Sequence, residues 1–430
     1  MPDVLFVVGV LLIALGVALS IALHEIGHLV PAKKFGVKVT QYMVGFGPTV
    51  WSRTRGETEY GIKAIPLGGY IRMIGMFPPK PGHRAANAST GRFSQLVDQM
   101  RDEAQAEVSE ADDQRAFYRL KTWQKVTVMF GGPFMNLVIA SVLMLIILVG
   151  IGTPKITGTV LGTIAPCTSN ACSPAAKAGL KDGDKVVSVN GVAVTTPTQV
   201  TQQIRPHAGE TVPIVVRRDG QEVTLNVTPQ EGTLAKLDAD GNPVTDANGK
   251  AVTEKTGMVG ASLASTHVYV RQPVSEVPGV IGNGLKQTAS VFLKLPQKMA
   301  GVFQAAFSGQ QRDQDSPVSV VGVGRLGGDV AGDSHVALLD KVVMLLSLLA
   351  GLNLALFVFN LVPLLPLDGG HIAGALWEGV KRRIARLRGQ TGEVYVDVAK
   401  GLPVAYAVAL VLIGMSALLM YADIVNPVKF

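Results

Sequence analysis

VLFVVGVLLIALGVALSIALHEIGH, residues 4–28, sets twenty residues without a charged side chain directly ahead of a histidine, a glutamate and a second histidine. An uncharged run of about 20 apolar residues is what a helix needs to cross a hydrocarbon core. Ionisable groups at membrane depth are expensive, and they mark function. Three further runs lack Asp, Glu, Lys and Arg over similar lengths: 126–154, 342–367 and 401–422. The composition agrees, with 48% hydrophobic and 17% charged residues and a mean hydropathy of +0.33. Four buried helices of a soluble protein would be shorter and amphipathic. The first run has no basic residue before it and no small-residue cleavage site after it, so it reads as a retained span and not a signal peptide.

Basic residues orient the spans. Residues 33–125 carry fifteen Lys/Arg against nine Asp/Glu, and Lys381, Arg382, Arg383, Arg386, Arg388 and Lys400 lie between the third and fourth runs. The positive-inside rule places both loops in the cytoplasm and both termini outside, with the long segment 155–340 also outside. These loops account for the net charge of +7. No basic, aromatic-interleaved patch supports nucleic-acid binding. Cys167 and Cys172, the only cysteines, fall in the outer segment, where an oxidising compartment permits a disulfide. Two unpaired thiols are the alternative.

The expected organisation follows: a first transmembrane helix over 1–36, a β-hairpin or small sheet over 37–76, and a cytoplasmic loop over 77–125. A second helix covers 126–154. The hairpin is rich in β-branched and aromatic residues, with a turn near Arg55-Gly56. Its glycines, Gly45 and Gly47 among them, suggest close backbone approach. Within the loop, Gln95–Gln114 reads as a surface helix or a disordered stretch. Outside, AGLKDGDKVVSVNG (residues 178–191) carries a resemblance to bacterial PDZ domains over 156–231, an α+β fold that captures an extended peptide at a sheet edge. Residues 232–340 follow, with a flexible insertion to 256 and an amphipathic helix over 276–307. A third span with a Leu-Asp-Gly motif takes 341–372, a cytoplasmic loop 373–400 and a fourth span 401–430.

His24-Glu25-Ile26-Gly27-His28 fits H-E-x-x-H. On a helix, positions i and i+4 share a face, so both imidazoles can bind one metal ion. In zinc peptidases the adjacent glutamate takes a proton from metal-bound water. A catalytic zinc takes a third protein ligand and keeps an open position. NLVPLLPLDGGHI, residues 360–372, offers Asp368 where the inward-running third span ends, on the same side as His24 and His28. His371 is the rival ligand. Pro363 and Pro366 break the helix before Asp368, and Gly369 and Gly370 loosen it after. Asn360 and Asn136 are polar groups within spans, read either as helix-packing contacts or as substrate-positioning groups.

HExxH closing the first span, GFGP (residues 45–48), GPFMN (residues 132–136), the PDZ-like segment and NLVPLLPLDGG together resemble the site-2 protease family of intramembrane zinc metalloproteases, in its single-PDZ actinobacterial form. The resemblance spans nearly the whole chain. It implies a polytopic α-helical membrane protein with four transmembrane helices, a membrane-reentrant β-hairpin and an extracytoplasmic PDZ-like α+β domain, sited in the inner (plasma) membrane. It implies one Zn2+ held by His24, His28 and Asp368, with Glu25 as the catalytic acid/base. Asn360, Asn136, Gly45 and Gly47 are the candidate substrate contacts. It further implies single-span membrane substrates such as anti-sigma factors, trimmed first by an upstream protease, and a peptide or protein ligand for the PDZ domain. Two other readings stand beside it. One is a proteolytically silent metal-binding scaffold that recruits partners through its PDZ domain, which an intact Glu25 argues against. The other is a metal or proton transporter, for which the repeat symmetry is absent.

Overall fold

A computed structural model describes residues 2–76, 108–167, 172–238, 252–308, 316–389 and 401–428, with 78, 244, 312 and 395–396 between them. The chain divides into two units, Met1–Gly150 with Pro273–Phe430, and Ile151–Gln272.

The first unit opens with helix α1, Pro2–Lys34. At 1.5 Å per residue its 33 residues run about 50 Å, longer than a hydrocarbon core, and Lys33 and Lys34 sit in its last turn. Strands β1, Val39–Arg55, and β2, Thr58–Met73, then form the expected hairpin. Both are bent, so Gln41–Val44 pair with Gly69–Arg72 on one side and with Glu59–Ile62 on the other. Gly45 and Gly47 serve this bend. Both have positive φ, and a Cβ on Gly45 would lie 2.6 Å from the Ile65 carbonyl oxygen. The close backbone approach expected of these glycines is made at Gly45 by the hairpin's own backbone, whereas a Cβ on Gly47 would meet only the Ile65 side chain, at 3.5 Å. Most of the expected 77–125 loop, including most of Gln95–Gln114, lies outside the described residues. Short 3-10 turns at Glu110–Arg115 and Phe117–Arg119 lead into helix α2, Thr122–Leu145, which continues as a π turn to Ile151.

The second unit is an α+β fold that extends past the 156–231 expected from sequence. Strands β3 (Thr153–Ile164), β4 (Lys185–Val189), β5 (Val192–Ala193), β6 (Val212–Arg218) and β7 (Gln221–Val227) are joined by helix α3, Pro197–Ile204. The sheet order is β10-β3-β4-β6-β7, with β5 on β4. Strand β10, Ala261–Val270, thus belongs to the same sheet although it follows the insertion. The insertion itself is structured where described: β8, Gln230–Ala235, pairs with β9, Thr253–Met258. The core gathers inward positions of these strands, Val186, Val189, Ile214 and Val216 among them, with Val200 and Ile204 from α3. Cys167 and Cys172 are disulfide-bonded.

The chain then returns to the first unit. The single amphipathic helix expected over 276–307 is two helices, α4 (Val277–Leu293) and α5 (Leu295–Ser308). A further helix, α6 (Val320–Gly332), packs on α1. The two meet at small residues: a Cβ on Gly9 would lie 2.2 Å from the Gly327 carbonyl oxygen. Close backbone approach is how helices associate where lipid removes the hydrophobic drive. Helix α7, Leu338–Asn360, ends earlier than the third span expected to reach 372. Pro363 and Pro366 cannot extend it. Asp368 opens a new helix, α8, Asp368–Leu387, which fills much of the expected 373–400 loop. Gly369 and Gly370 lie within its first turn and do not loosen it. They let it sit against the preceding backbone, where a Cβ on Gly369 would lie 2.3 Å from the Val362 carbonyl oxygen. Helix α9, Leu402–Val425, closes the chain. Segments Asp3–Lys34, Thr122–Ile151, Leu338–Asn360 and Leu402–Val425 are long and apolar enough to cross a membrane.

Candidate metal centre

His24 and His28 lie one turn apart on one face of α1, with Glu25 next to His24 in the same turn. Their histidines converge with the first residue of α8. His24 Nε2 lies 3.2 Å from His28 Nε2, and Asp368 Oδ2 lies 3.4 Å from each. One ligand atom from each of the three falls within a single 4.8 Å cluster. Two nitrogens and a carboxylate oxygen suit zinc, and bonds of 2.0–2.1 Å in a tetrahedron would separate its ligand atoms by about 3.3 Å. The observed spacings match that edge. Asp368 Oδ2 is buried without a hydrogen-bond partner, as an atom reserved for a cation would be. His371, the rival ligand, lies one turn further along α8 and does not join the cluster.

Helix α2 fixes the imidazoles. His28 Nδ1 lies 2.8 Å from the Val128 carbonyl oxygen, which can only accept. The ring proton therefore sits on Nδ1 and leaves the Nε2 lone pair for a metal. His24 Nδ1 lies 3.1 Å from the side-chain amide of Asn136, a residue only 1% exposed. Such proximity needs glycine. A Cβ on Gly131 would lie 2.0 Å from the Gly27 carbonyl oxygen, and one on Gly132 would lie 2.1 Å from His28 Nε2. Glu25 is buried at 8% exposure, and the β2 segment at Gly69 runs against it: a Cβ there would lie 3.0 Å from Glu25 Cγ. The Tyr42 hydroxyl donates to the Ala22 carbonyl at 2.8 Å, pinning the hairpin to α1.

Asn360 closes α7 and is half-buried. Gly69 is one of the hairpin glycines read from sequence as a site of close approach, and what it approaches is Glu25. The Val128 carbonyl, Gly27, Gly131 and Gly132 were not singled out from sequence, and the signal available for them was the pair of adjacent glycines within a span.

Residues 12–404 match the sequence profile of peptidase family M50. The chain belongs to that family, the site-2 proteases. It is 34% identical over 438 residues to the zinc metalloprotease Rip1 of Mycobacterium tuberculosis H37Rv, covering 99% of each chain. To the zinc metalloprotease Rip1 of Mycolicibacterium smegmatis it is 33% identical over 447 residues, again with 99% of each chain covered. The M50 membership makes this chain a zinc metalloprotease of the membrane, with Zn2+ as cofactor and membrane proteins as substrates.

Proposed function

We propose that this M50 peptidase cuts peptide bonds inside the transmembrane segments of single-span membrane proteins, such as anti-sigma factors, after another protease has trimmed their outer domains. The observation that carries this reading is the convergence of His24, His28 and Asp368 beside a buried Glu25, where α1, long and apolar enough to span, meets the first residue of α8 shortly after α7, which is also long and apolar enough to span. His24, His28 and Asp368 hold the metal. When bound, zinc supplies Lewis acidity that acidifies water and polarises a carbonyl. Glu25 accepts the proton lost by the attacking water as its oxygen bonds to the carbonyl carbon. It then delivers that proton to the amide nitrogen as the C–N bond breaks, leaving a carboxyl and an amine terminus.

A substrate helix in lipid hides its amides, so it must unwind before it is cut, and its freed groups need partners. The reading assigns that task to the Gly69–Arg72 edge, which runs past Glu25 and pairs with no second strand among the described residues. The hairpin then reenters the membrane, Asn360 contacts the bound strand, and the metal centre faces the cytoplasm. The second unit acts outside as the PDZ domain, its groove between α3 and β10 receiving a peptide.

Asn136 we assign to His24. An amide's oxygen and nitrogen are told apart only by their hydrogen bonds. Asn136 Oδ1 is buried without a partner as placed. Turned over, it accepts from His24 Nδ1–H and frees His24 Nε2 for the metal, as Val128 does for His28.

The test is to incubate the purified protein with a single-span membrane protein, with and without its outer domain, and to map the products by mass spectrometry. The reading expects one cut, within the span, and only in the trimmed form. Cuts confined to residues outside the span would contradict it.

A further inference from the structure

Helix α8 carries a surface that the metal centre does not use. Ala375, Glu378 and Ala385 are buried on one side of it. Leu376, Trp377, Val380, Ile384 and Leu387 are 41% to 81% exposed. At 100° per residue these five fall within an arc of about 100°, opposite the buried side. Lys381 and Arg388 border the stripe on one flank, and Arg383 and Arg386 on the other. Among the described residues, none of these four cations has a carboxylate partner. Lys381 Nζ stands 5.9 Å from the centre of the Trp377 ring.

The chain around α8 says what covers it. Helices α7 and α9, on either side in sequence, are both long and apolar enough to cross a membrane. A span that enters and a span that returns hold the intervening helix at one membrane face. An exposed apolar stripe bordered by cations, with an aromatic ring beside a lysine, suits the boundary between acyl chains and headgroups. Four cations without a carboxylate partner among the described residues make the anionic headgroup the fitting partner.

We infer that α8 lies in the membrane interface and docks anionic phospholipid, and that this lipid contact holds Asp368, the first residue of the helix, in register with His24 and His28. The second half of this inference rests on the proposed role of Asp368 as a metal ligand.

The experiment uses the full chain in nanodiscs of phosphatidylcholine alone or of equimolar phosphatidylcholine and phosphatidylglycerol. A nitroxide is placed on Val380→Cys, the native cysteines being bonded to each other. Its collisions with oxygen and with a water-soluble nickel chelate report its depth. The inference expects a deeper label with phosphatidylglycerol. High salt, or Lys381→Gln, Arg383→Gln, Arg386→Gln and Arg388→Gln combined, should abolish that lipid dependence. Equal depth in both lipids, or an unchanged shift in the fourfold variant, would overturn the docking. So would spin–spin coupling between labels, which would show a second copy covering the stripe. Zinc release to a chelator, timed on the same samples, tests the link to Asp368. It should slow severalfold with phosphatidylglycerol in the wild type and not in the fourfold variant. A lipid-dependent depth with lipid-independent release would overturn the link alone. Failure to hold zinc in either lipid would refute the metal-site reading, while the depth measurement would still decide the docking.

Discussion

Gly132 shows how much of this metal centre is built from absence of side chain. Two imidazoles fill the space a Cβ would need, so α2 can come close enough for Val128 and Asn136 to reach the histidines. The H-E-x-x-H pair was legible because its logic is local, one turn of one helix. The groups that set its tautomers were not, because they arrive by a crossing between helices, from residues 100 and 112 positions away in sequence. Asn136 was read from sequence as a packing or substrate contact. Its position against His24 instead yields a prediction. Asn136→Leu should weaken zinc binding roughly 10- to 100-fold, the usual loss when a ligand's outer partner is removed. Asn136→Asp, which can only accept, should stay near wild type. Competition with a chelator of known affinity measures both. An Asn136→Leu protein with wild-type zinc affinity would return Asn136 to substrate contact.

At the scale of the element, α8 is where sequence reading departed furthest from the structure. The proline break before Asp368 was read from sequence, but the segment was carried on to 372 and followed by a loop, because Gly369 and Gly370 read as loosening a helix where they in fact open a new one, Asp368–Leu387. The turns were easier. The turn expected near Arg55-Gly56 joins β1 to β2, with Arg55 paired to Thr58 and Gly56 at positive φ, a conformation glycine adopts at no steric cost. Helix α8 is anchored to α2 by a buried ion pair. Lys125 Nζ donates to Glu378 Oε1 at 2.7 Å with both side chains under 7% exposed, and Arg382 reaches the same oxygen at 2.7 Å. Glu378 Oε2 also accepts the Val396 N–H at 3.2 Å. Removing one member of such a pair strands the other charge, at a cost of about 3–5 kcal/mol. Glu378→Ala should therefore lower the thermal midpoint and loosen zinc through Asp368. Lys125→Met combined with Glu378→Leu should recover part of the midpoint, because apolar replacement of the buried Lys125–Glu378 pair is close to neutral and the charge that then loses this carboxylate is Arg382, 26% exposed. Equal loss in single and double variants would contradict this.

For the whole molecule, four uncharged runs and one glycine-rich α+β pattern disclosed two kinds of structure, a membrane helix set and a second unit with its own core. The second unit's extent was hidden because β10 joins its sheet across an insertion without periodicity. It has its own acid sensitivity. Arg218 donates two hydrogen bonds to Asp184, at 2.8 and 2.6 Å, and these hold the carboxyl below the usual carboxylate range despite the opposing effect of burial. A depressed carboxyl stabilises the fold fully above its unfolded pKa of about 3.9. That contribution is lost as pH falls through the depressed value. Hydrogen exchange in β4 and β6 should stay slow from neutral pH down to about 4, once corrected for intrinsic rates, and quicken below it. Asp184→Asn should remove most of that pH dependence.

Hydrolysis at the metal is the central claim, and Glu25 tests it most directly. Wild type and Glu25→Gln are compared on a trimmed single-span substrate, with zinc measured on both proteins. General acid–base catalysis contributes about 10²- to 10⁴-fold. The variant should keep its zinc and lose cleavage by at least the lower of those factors, while the wild type cuts within the span. Two proteins that both hold zinc and cut at the same rate, or that both leave every trimmed substrate intact, would contradict the assignment. The second result would leave a metal-bearing membrane scaffold in place of a protease.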